Sequence, residues 1–230
     1  MLIAFLITLL MATELGASVP VDLMFNHQPI DASCLRVDNK IQDVNLRTCS
    51  LTLKKHGYSY YKFFDVGSKL YWIFTVNGIG GSGNLTAISA VTRKNFDTLT
   101  IRTVFSGDRC NGGIQNVSQT QHKLTFSVNL TAYDLLKLAT KPNIDVKAYI
   151  EVAACAVCCV ARAVYELQPN AQPDLKYVQL NKFKNIEELP QQGGYQQYFN
   201  QIFMEYLHGR TTILYQDDVD TFVTKFWSLL

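Results

Sequence analysis

The sequence predicts a mainly β chain with C-terminal helices (α+β): an antiparallel β-sandwich or barrel over roughly 49–181, then two amphipathic helices at about 195–208 and 218–229. Three observations predict this fold. Short apolar runs separated by turn residues fill the first region. Apolar and polar residues alternate without a break over 123–131. After Pro190 the apolar spacing changes to the helical period.

The strands are predicted from alternation and from the turn residues between apolar runs. They are 49–54, 58–64, 69–76, 85–92, 97–105, 123–130, 147–153 and 175–181. The segment 155–167 is ambiguous, because alanine favours a helix while valine and cysteine suit a buried strand. In a helix, Arg162 and Glu166 would pair four residues apart. We prefer a strand there, because its neighbours on both sides are predicted strands.

Two apolar stripes predict the C-terminal helices. The first stripe consists of Tyr195, Tyr198, Phe199, Ile202, Phe203, Tyr206 and Leu207. Gly209 then stands where a helix C-cap belongs. The second stripe consists of Val219, Phe222, Val223, Phe226 and Trp227, with Asp217 or Asp218 as its N-cap. A short strand-like segment, 211–215, separates the helices, and both stripes are expected to face the core.

The N-terminal residues predict secretion. A ten-residue apolar stretch at 2–11, interrupted by Thr8 alone, is followed by three small residues at 16–18 with the spacing that signal peptidase reads. The expected organisation is a signal peptide at 1–18 and one secreted domain at 19–230, β-rich at 34–181 and helical at 186–230. The expected location is therefore extracellular.

Charge and hydropathy exclude two classes of partner. The net charge of +2, which becomes +3 once Glu14 leaves with the signal peptide, is too small and dispersed to predict nucleic-acid binding. The other long apolar run, 152–161, is about half the length that a bilayer requires, so we expect no membrane span in the mature chain.

Six cysteines follow the signal peptide, and an even number in an oxidising compartment predicts disulfides. They are Cys34, Cys49, Cys110, Cys155, Cys158 and Cys159. The sequence does not choose among the fifteen possible pairings. The Cys155-Ala-Val-Cys158-Cys159 cluster has the spacing of zinc or redox sites, but it lacks a second Cys or His pair and sits among apolar residues. Structural bridging is therefore our interpretation, and we expect no metal.

Three sequons predict N-linked glycans at Asn84, Asn116 and Asn129. Asn129 has additional support, because the alternation over 123–131 places it on the polar face of its strand.

Aromatic residues crowd one predicted strand, at 58–64. Because they lie on both of its faces, either the strand is central and covered on both sides or one face binds a partner. The candidate binding surface consists of Tyr58, Tyr60, Tyr61 and Phe63.

Two short sequences partly match motifs for nucleotide binding and for catalysis, but the residues around them do not support either function. The run 78–83 matches G-x-G-x-x-G, but a β-branched segment follows where a dinucleotide site needs a helix. A hairpin loop explains these glycines. The sequence Gly81-Ser82-Gly83-Asn84 misses the second glycine of a nucleophile elbow. We therefore expect no catalytic residue, no cofactor and no enzymatic activity.

Two family resemblances are loose. Eight or so strands followed by a helix, a short strand and a terminal helix resemble the order of lipocalins, but their N-terminal Gly-x-Trp is missing. The set Cys49, Trp72 and Cys110 resembles the immunoglobulin pattern, but its first gap is too long and Asp108 replaces the tyrosine.

The leading hypothesis from the sequence is a secreted, disulfide-linked glycoprotein that binds another macromolecule, as host modulators and receptor-binding or ligand-binding proteins do. One alternative is a lipocalin-like carrier of a small apolar ligand, and the second is a secreted hydrolase. Partner identity and oligomeric state stay open.

Overall fold

The fold was obtained as a computed structural model of the whole chain. The residues that it describes are 24–25, 28–29, 41–45, 58–67, 70–78, 84–95, 97–107, 110, 113–141, 150–155, 157–209 and 211–230. The predicted signal peptide, Cys34, Cys49, the strand at 49–54 and most of the glycine run at 78–83 lie outside them.

Two five-stranded antiparallel sheets make up most of the described chain. The first sheet has the strand order β3-β7-β6-β5-β4: β3 Ile41–Asn45, β4 Tyr58–Gly67, β5 Leu70–Gly78, β6 Asn84–Asn95 and β7 Thr98–Gly107. The second has the order β12-β11-β10-β9-β8: β8 Ile114–Thr120, β9 Lys123–Thr131, β10 Cys159–Leu167, β11 Asp174–Leu180 and β12 Ile213–Leu214. A further short pair joins β1 Met24–Phe25 to β2 Gln28–Pro29.

Three α-helices of the described chain accompany the second sheet. They are α1 Ala132–Leu136, α2 Gly194–His208 and α3 Gln216–Ser228, with a 3-10 turn at Ile186–Glu188. The predicted mainly β fold with C-terminal helices is thus confirmed at this level. Both predicted helix stripes face inwards at Phe199, Phe203, Phe222 and Phe226, which are fully buried, but Tyr198 of the first stripe is exposed. No helix in the described residues is long and apolar enough to cross a membrane.

The core joins one face of each sheet with the helices. From the first sheet it takes Phe64, Trp72 and Ile88, and from the second it takes the apolar face of β9, whose alternation the sequence predicted. The opposite face of the first sheet is also buried, at Ile73, Val91, Leu99 and Ile101 among others. Strands of the first sheet are therefore apolar on both faces, whereas the outer face of the second sheet is mostly polar.

A buried amide pair ties α2 to the segment before β10. The Ala153 N–H donates to Gln196 Oε1 at 2.6 Å, Gln196 Nε2 donates to Asn200 Oδ1 at 2.7 Å, and Asn200 Nδ2 donates to the Pro190 carbonyl at 3.0 Å. Because buried amides are costly unless they are hydrogen-bonded, this chain of bonds fixes where α2 meets Ala153.

Several element predictions need correction. The strand predicted at 147–153 is wrong where the structure describes it, because 150–151 are helical and 152–155 are irregular. The preferred strand at 155–167 is right from Cys159 onwards. Its Arg162 and Glu166 do not pair with each other: Arg162 Nε donates to Asn129, and Glu166 accepts from Lys123.

Helix starts and two strands also differ from the prediction. Neither Asp217 nor Asp218 is an N-cap, because α3 begins at Gln216, two residues earlier than predicted, with Tyr215 as its N-cap. The Asp218 carboxylate accepts from the Tyr215 N–H at 3.0 Å. Helix α1 and strands β3 and β8 were not predicted. Strand β8 bulges between Gln115 and Ser118, where Asn116 has φ 51°. Because the bulge interrupts the alternation of side chains, the sequence pattern did not predict this strand.

Candidate functional site

An open groove of about 440 Å³ lies where the end of β7, the end of β9 and α1 meet, and we call it the seam groove. Its lining combines apolar side chains with a few polar ones. The lining residues are Phe105, Ser106, Gly107, Gly113, Val128, Asn129, Leu130, Asp134, Lys137, Leu138 and Tyr165.

Phe105 and Tyr165 line the seam groove as its floor, and both rings pack against Phe126. Phe105, Phe126 and Tyr165 contact one another with ring centroids 5.1–5.4 Å apart, the last two stacked and Phe105 inclined to both. Phe126 and Tyr165 are opposite residues of β9 and β10, and Phe105 reaches them from the first sheet. Because each ring is packed against the other two, the floor is preformed.

Two glycines shape the rim where the chain passes from one sheet to the other. Gly113 has φ 70°, and a Cβ there would lie 2.8 Å from the Gly107 backbone, so no other residue fits without moving the chain. The Thr86 hydroxyl fastens the same place: it donates to the Gly107 carbonyl and accepts from the Ile114 N–H, both at 3.0 Å.

The wall of the seam groove is α1, which is capped by its own side chains. Thr131 Oγ1 accepts from the Asp134 N–H at 3.1 Å, and the Asp134 carboxylate accepts from the Thr131 N–H at 3.2 Å and from its hydroxyl at 2.7 Å. Asp134 is thus engaged in a reciprocal capping box. Lys137, one turn further, is exposed, and its ammonium lies 5.6 Å from the centre of the Tyr133 ring.

Burial, and secondarily the negative charge of Asp134, raises the pKa of Tyr165 to about 12. The phenol is therefore neutral at physiological pH and offers a hydrogen-bond donor beside the groove.

Asn129 links the groove to the cysteines. Its Nδ2 donates to the Cys110 carbonyl at 3.0 Å, and its Oδ1 accepts from Arg162 Nε at 3.3 Å. Since both ends of the amide are engaged and the side chain is half-buried, Asn129 is a fixed part of the groove rim.

The structure resolves part of the cysteine question. Cys155 and Cys158 form a disulfide, with their Cα atoms 5.1 Å apart. Cys110 is buried and Cys159 half-buried, both are thiols, and their side chains interact. Burial, and to a smaller extent Asp134, raises the pKa of the Cys159 thiol against the opposing effect of the Cys110 contact. In the described residues no group of three His, Cys, Asp or Glu side chains is placed to hold a metal.

The predicted aromatic surface is only partly described. Tyr61 and Phe63 are half-buried on the face of β4 opposite the core, with ring centroids 5.1 Å apart, while only the backbone of Tyr58 and Tyr60 is described. β4 lies at one end of its sheet, so the interpretation of a central strand does not hold for the described sheet. These residues do not reach the seam groove.

The three sequons lie in different surroundings. Asn84 begins β6 opposite Gly78, and its backbone alone is described. Asn116 is exposed at the bulge of β8, where its Nδ2 donates to the Ser127 hydroxyl at 3.2 Å. Of the two described side chains, Asn116 is the more accessible.

The remaining motifs take structural roles. Residues 79–83 of the glycine run connect two antiparallel partners, β5 and β6, so a strand follows the run where a dinucleotide site needs a helix. The Asp220 carboxylate accepts from the Thr140 N–H at 2.8 Å and from its hydroxyl at 2.7 Å, which lowers the pKa of Asp220.

Sequence reasoning missed the groove residues Phe105, Tyr165, Asp134, Lys137 and Leu138. One local pattern could have found part of the site. Thr131 followed three residues later by Asp134 is a capping-box sequence at a strand end, which predicts a helix start there. Phe105 and Tyr165 belong to different sheets, so no local sequence pattern predicts their contact.

Two other surface depressions are less suited to binding. One of about 480 Å³ is closed on one side by the Thr140–Asp220 bonds. The other, of about 510 Å³, is lined mainly by glutamine, asparagine and glutamate side chains beside the 3-10 turn. Trp227, which contacts Phe226, is the one aromatic residue that lines the first depression, and the second has no aromatic residue in its lining.

Comparisons of the chain with protein-family models, with curated proteins and with solved structures found no match in any of the three.

Proposed function

We propose that this chain is a binding protein, without catalysis of its own, that takes an apolar side chain of a partner protein into the seam groove. The observation that carries the proposal is the groove itself: an open space of about 440 Å³ over a preformed aromatic floor, with Lys137 exposed at its rim. Partner side chains that contribute most to binding insert into such pockets, surrounded by a polar rim.

Rigidity of the groove favours affinity. Its floor, its glycine rim and its capped wall are all fixed in the absence of a partner, so little conformational entropy is lost on binding. Lys137 is exposed at the rim, whereas the Asp134 carboxylate is engaged by Thr131, so the groove favours a partner with an acidic group beside the inserted apolar side chain.

A small-molecule ligand is the second candidate, because the groove volume lies within the range of about 300–1,000 Å³ that such sites occupy. A carrier, however, encloses most of its ligand, and this groove is open. We also propose a filled β-sandwich in preference to a barrel, since the core between the sheets contains Trp72, Phe105 and Phe126. That packing gives little support to a lipocalin-like cavity.

Secretion and glycosylation belong to the same proposal. The Cys155–Cys158 disulfide fits an oxidising compartment, and the accessible Asn116 fits a glycan on β8. Asn129 lines the seam groove, so a glycan attached to it would stand at the mouth of the groove.

Blocking the groove tests the proposal. Ser106 is exposed and lines the groove, so Ser106→Trp fills it from the rim without entering the core. Thr120→Trp is the matched control, because Thr120 is an exposed strand-end residue that does not line the groove. We select displayed random peptides on the immobilised wild-type protein and measure the affinity of the enriched peptides for all three proteins.

The expected peptides share a large apolar residue, and Ser106→Trp weakens them by at least about tenfold while Thr120→Trp does not. The proposal is wrong if no peptide binds saturably or if binding is indifferent to Ser106→Trp. A stoichiometric small molecule in native mass spectra of the wild type, lost in Ser106→Trp, would instead establish the second candidate.

A further inference from the structure

Two cysteines beside the seam groove lie together although they are 49 positions apart in the sequence. Cys110 belongs to the connection between β7 and β8 and is fully buried, and Cys159 is the first residue of β10. Neither belongs to the Cys155–Cys158 disulfide.

The strand register explains why they meet. Cys159 is opposite Thr131 in β9, and the Cys110 carbonyl is bonded to the side chain of Asn129, two residues earlier in the same strand. Partners and alternate residues of a sheet share one face, so Cys159 and the Asn129 side chain lie on the same side of β9. Cys110 and Cys159 therefore lie side by side at the end of β9, where their side chains interact.

The backbone of Cys110 is held for this contact. Its φ is 49°, in the left-handed region that a residue with a Cβ rarely adopts. The Asn129 bond on its carbonyl fixes this conformation, and the Gly107–Gly113 approach closes the same turn.

We propose that Cys110 and Cys159 are a second disulfide site, which closes when the folded protein meets a low-molecular-weight disulfide such as oxidised glutathione. The more accessible Cys159 thiolate attacks one sulfur of that disulfide, forms a mixed disulfide and releases one thiolate. The Cys110 thiolate then attacks Cys159 Sγ and displaces the second. The two cysteine protons pass through water to the two released thiolates, so one protein disulfide forms and one small disulfide is reduced to two thiols.

The closed bond would join the turn at the groove rim to β10 covalently, next to the existing Cys155–Cys158 bridge. This inference is independent of the proposed function, because it depends on the two thiols and not on what the groove binds.

Peptide mapping of the full chain tests the pairing. The protein is treated with oxidised glutathione, its remaining thiols are alkylated after unfolding, and glycans are removed before tryptic digestion. Cleavage after Arg109 and Arg162 gives one peptide that begins at Cys110 and another that contains Cys155, Cys158 and Cys159. We expect these two peptides to be joined, with no alkylation at Cys110 or Cys159.

Two variants assign the bond within the second peptide. In Cys159→Ser the link to the Cys110 peptide is lost and Cys110 becomes alkylated. In the double variant Cys155→Ser, Cys158→Ser the link persists. Alkylation of both Cys110 and Cys159 in the oxidised wild type overturns the proposal, as does a link to the Cys110 peptide that survives Cys159→Ser. Because the wild-type map by itself can overturn the proposal, the test does not depend on the folding of either variant.

Discussion

The two halves of β9 have different surroundings. At its first half, Leu124 and Phe126 are buried between paired strands, with β8 on one side and β10 on the other. The register with β8 ends where Ile114 meets Val128, and the Asn129 N–H still donates to the Gly113 carbonyl at 3.1 Å. Beyond that bond, α1, the Cys110 turn and the seam groove take the place of that neighbour. The alternation of side chains is the same in both halves, so the site arises from the loss of a partner strand and not from a change in sequence pattern.

The two halves of β9 also differ in the interactions that stabilise them. The first half of β9 is stabilised mainly by buried apolar area, because Phe126 lies in the aromatic cluster. The second half depends on polar bonds made by Asn129, Thr131 and Asp134. We therefore expect substitutions in the first half to reduce global stability most, and those in the second half to loosen α1 and the groove.

Replacing one buried apolar side chain in each half of β9 with alanine tests this comparison directly and should give the largest loss of stability. Phe126→Ala should cost about 3–5 kcal/mol of unfolding free energy, since Phe126 is fully buried and contacts two other aromatic rings. Leu130→Ala should cost about 2 kcal/mol, because it borders the open groove and its neighbours can relax. Denaturant unfolding measures both.

Thr125→Ala is the control, on the outer face of the same strand, and should change stability by no more than about 0.5 kcal/mol. Equal losses at Phe126 and Leu130 would show that the groove end is packed as tightly as the paired end.

The same strand shows how far the sequence predicts the fold. Its alternation is local, so Leu124, Phe126, Val128 and Leu130 could be placed on one buried face without the structure. The two C-terminal helices were predicted for the same reason, because their stripes repeat within a few turns. The buried amides Gln196 and Asn200 were missed, since their partners Ala153 and Pro190 lie outside the helix.

The candidate site was less predictable than the fold. Its floor joins Phe105 in one sheet to Tyr165 in the other, and the Cys110–Cys159 contact spans β8, β9 and α1. Such contacts depend on which strands become neighbours in the fold, and a local sequence pattern does not determine that. The aromatic run at 58–64 was predicted as a candidate binding surface because it is visible as a local pattern, yet its described side chains lie away from the groove.

Raising the pH should weaken the aromatic floor, with an effect of intermediate size. The folded state holds the pKa of Tyr165 at about 12, above its ordinary value, so it favours the neutral phenol. This contribution to stability is complete below about pH 10 and is lost as the pH rises towards about 12, on the order of 2–3 kcal/mol in all.

Tyr165→Phe removes that titration and keeps the ring. Chemical unfolding of both proteins between about pH 9 and about pH 12 should show a steeper loss for the wild type. Tyr61 and Tyr206, whose pKa values burial also raises, titrate in both proteins and cancel in the difference. Parallel curves would mean that Tyr165 ionises as readily in the folded protein as in the unfolded one.

Removing the N-cap of α1 should give the smallest loss of stability, and the loss should be confined to the region around α1. Thr131→Ala loses the hydroxyl that accepts from the Asp134 N–H, and should cost about 1 kcal/mol, as lost N-caps typically do. Hydrogen exchange should then quicken at the amides of Asp134 and Leu135, while those of β9 near Phe126 stay protected.

Because Thr131 is also the third residue of the Asn129 sequon, the comparison uses protein without glycans. Thr131→Ser keeps both the sequon and the hydroxyl and should restore the slow exchange, whereas Asp134→Ala keeps the sequon but removes the reciprocal bond and should not. If Thr131→Ala instead speeds exchange along the whole of β9, the two halves of the strand open together, and the groove end is not a separate unit of stability.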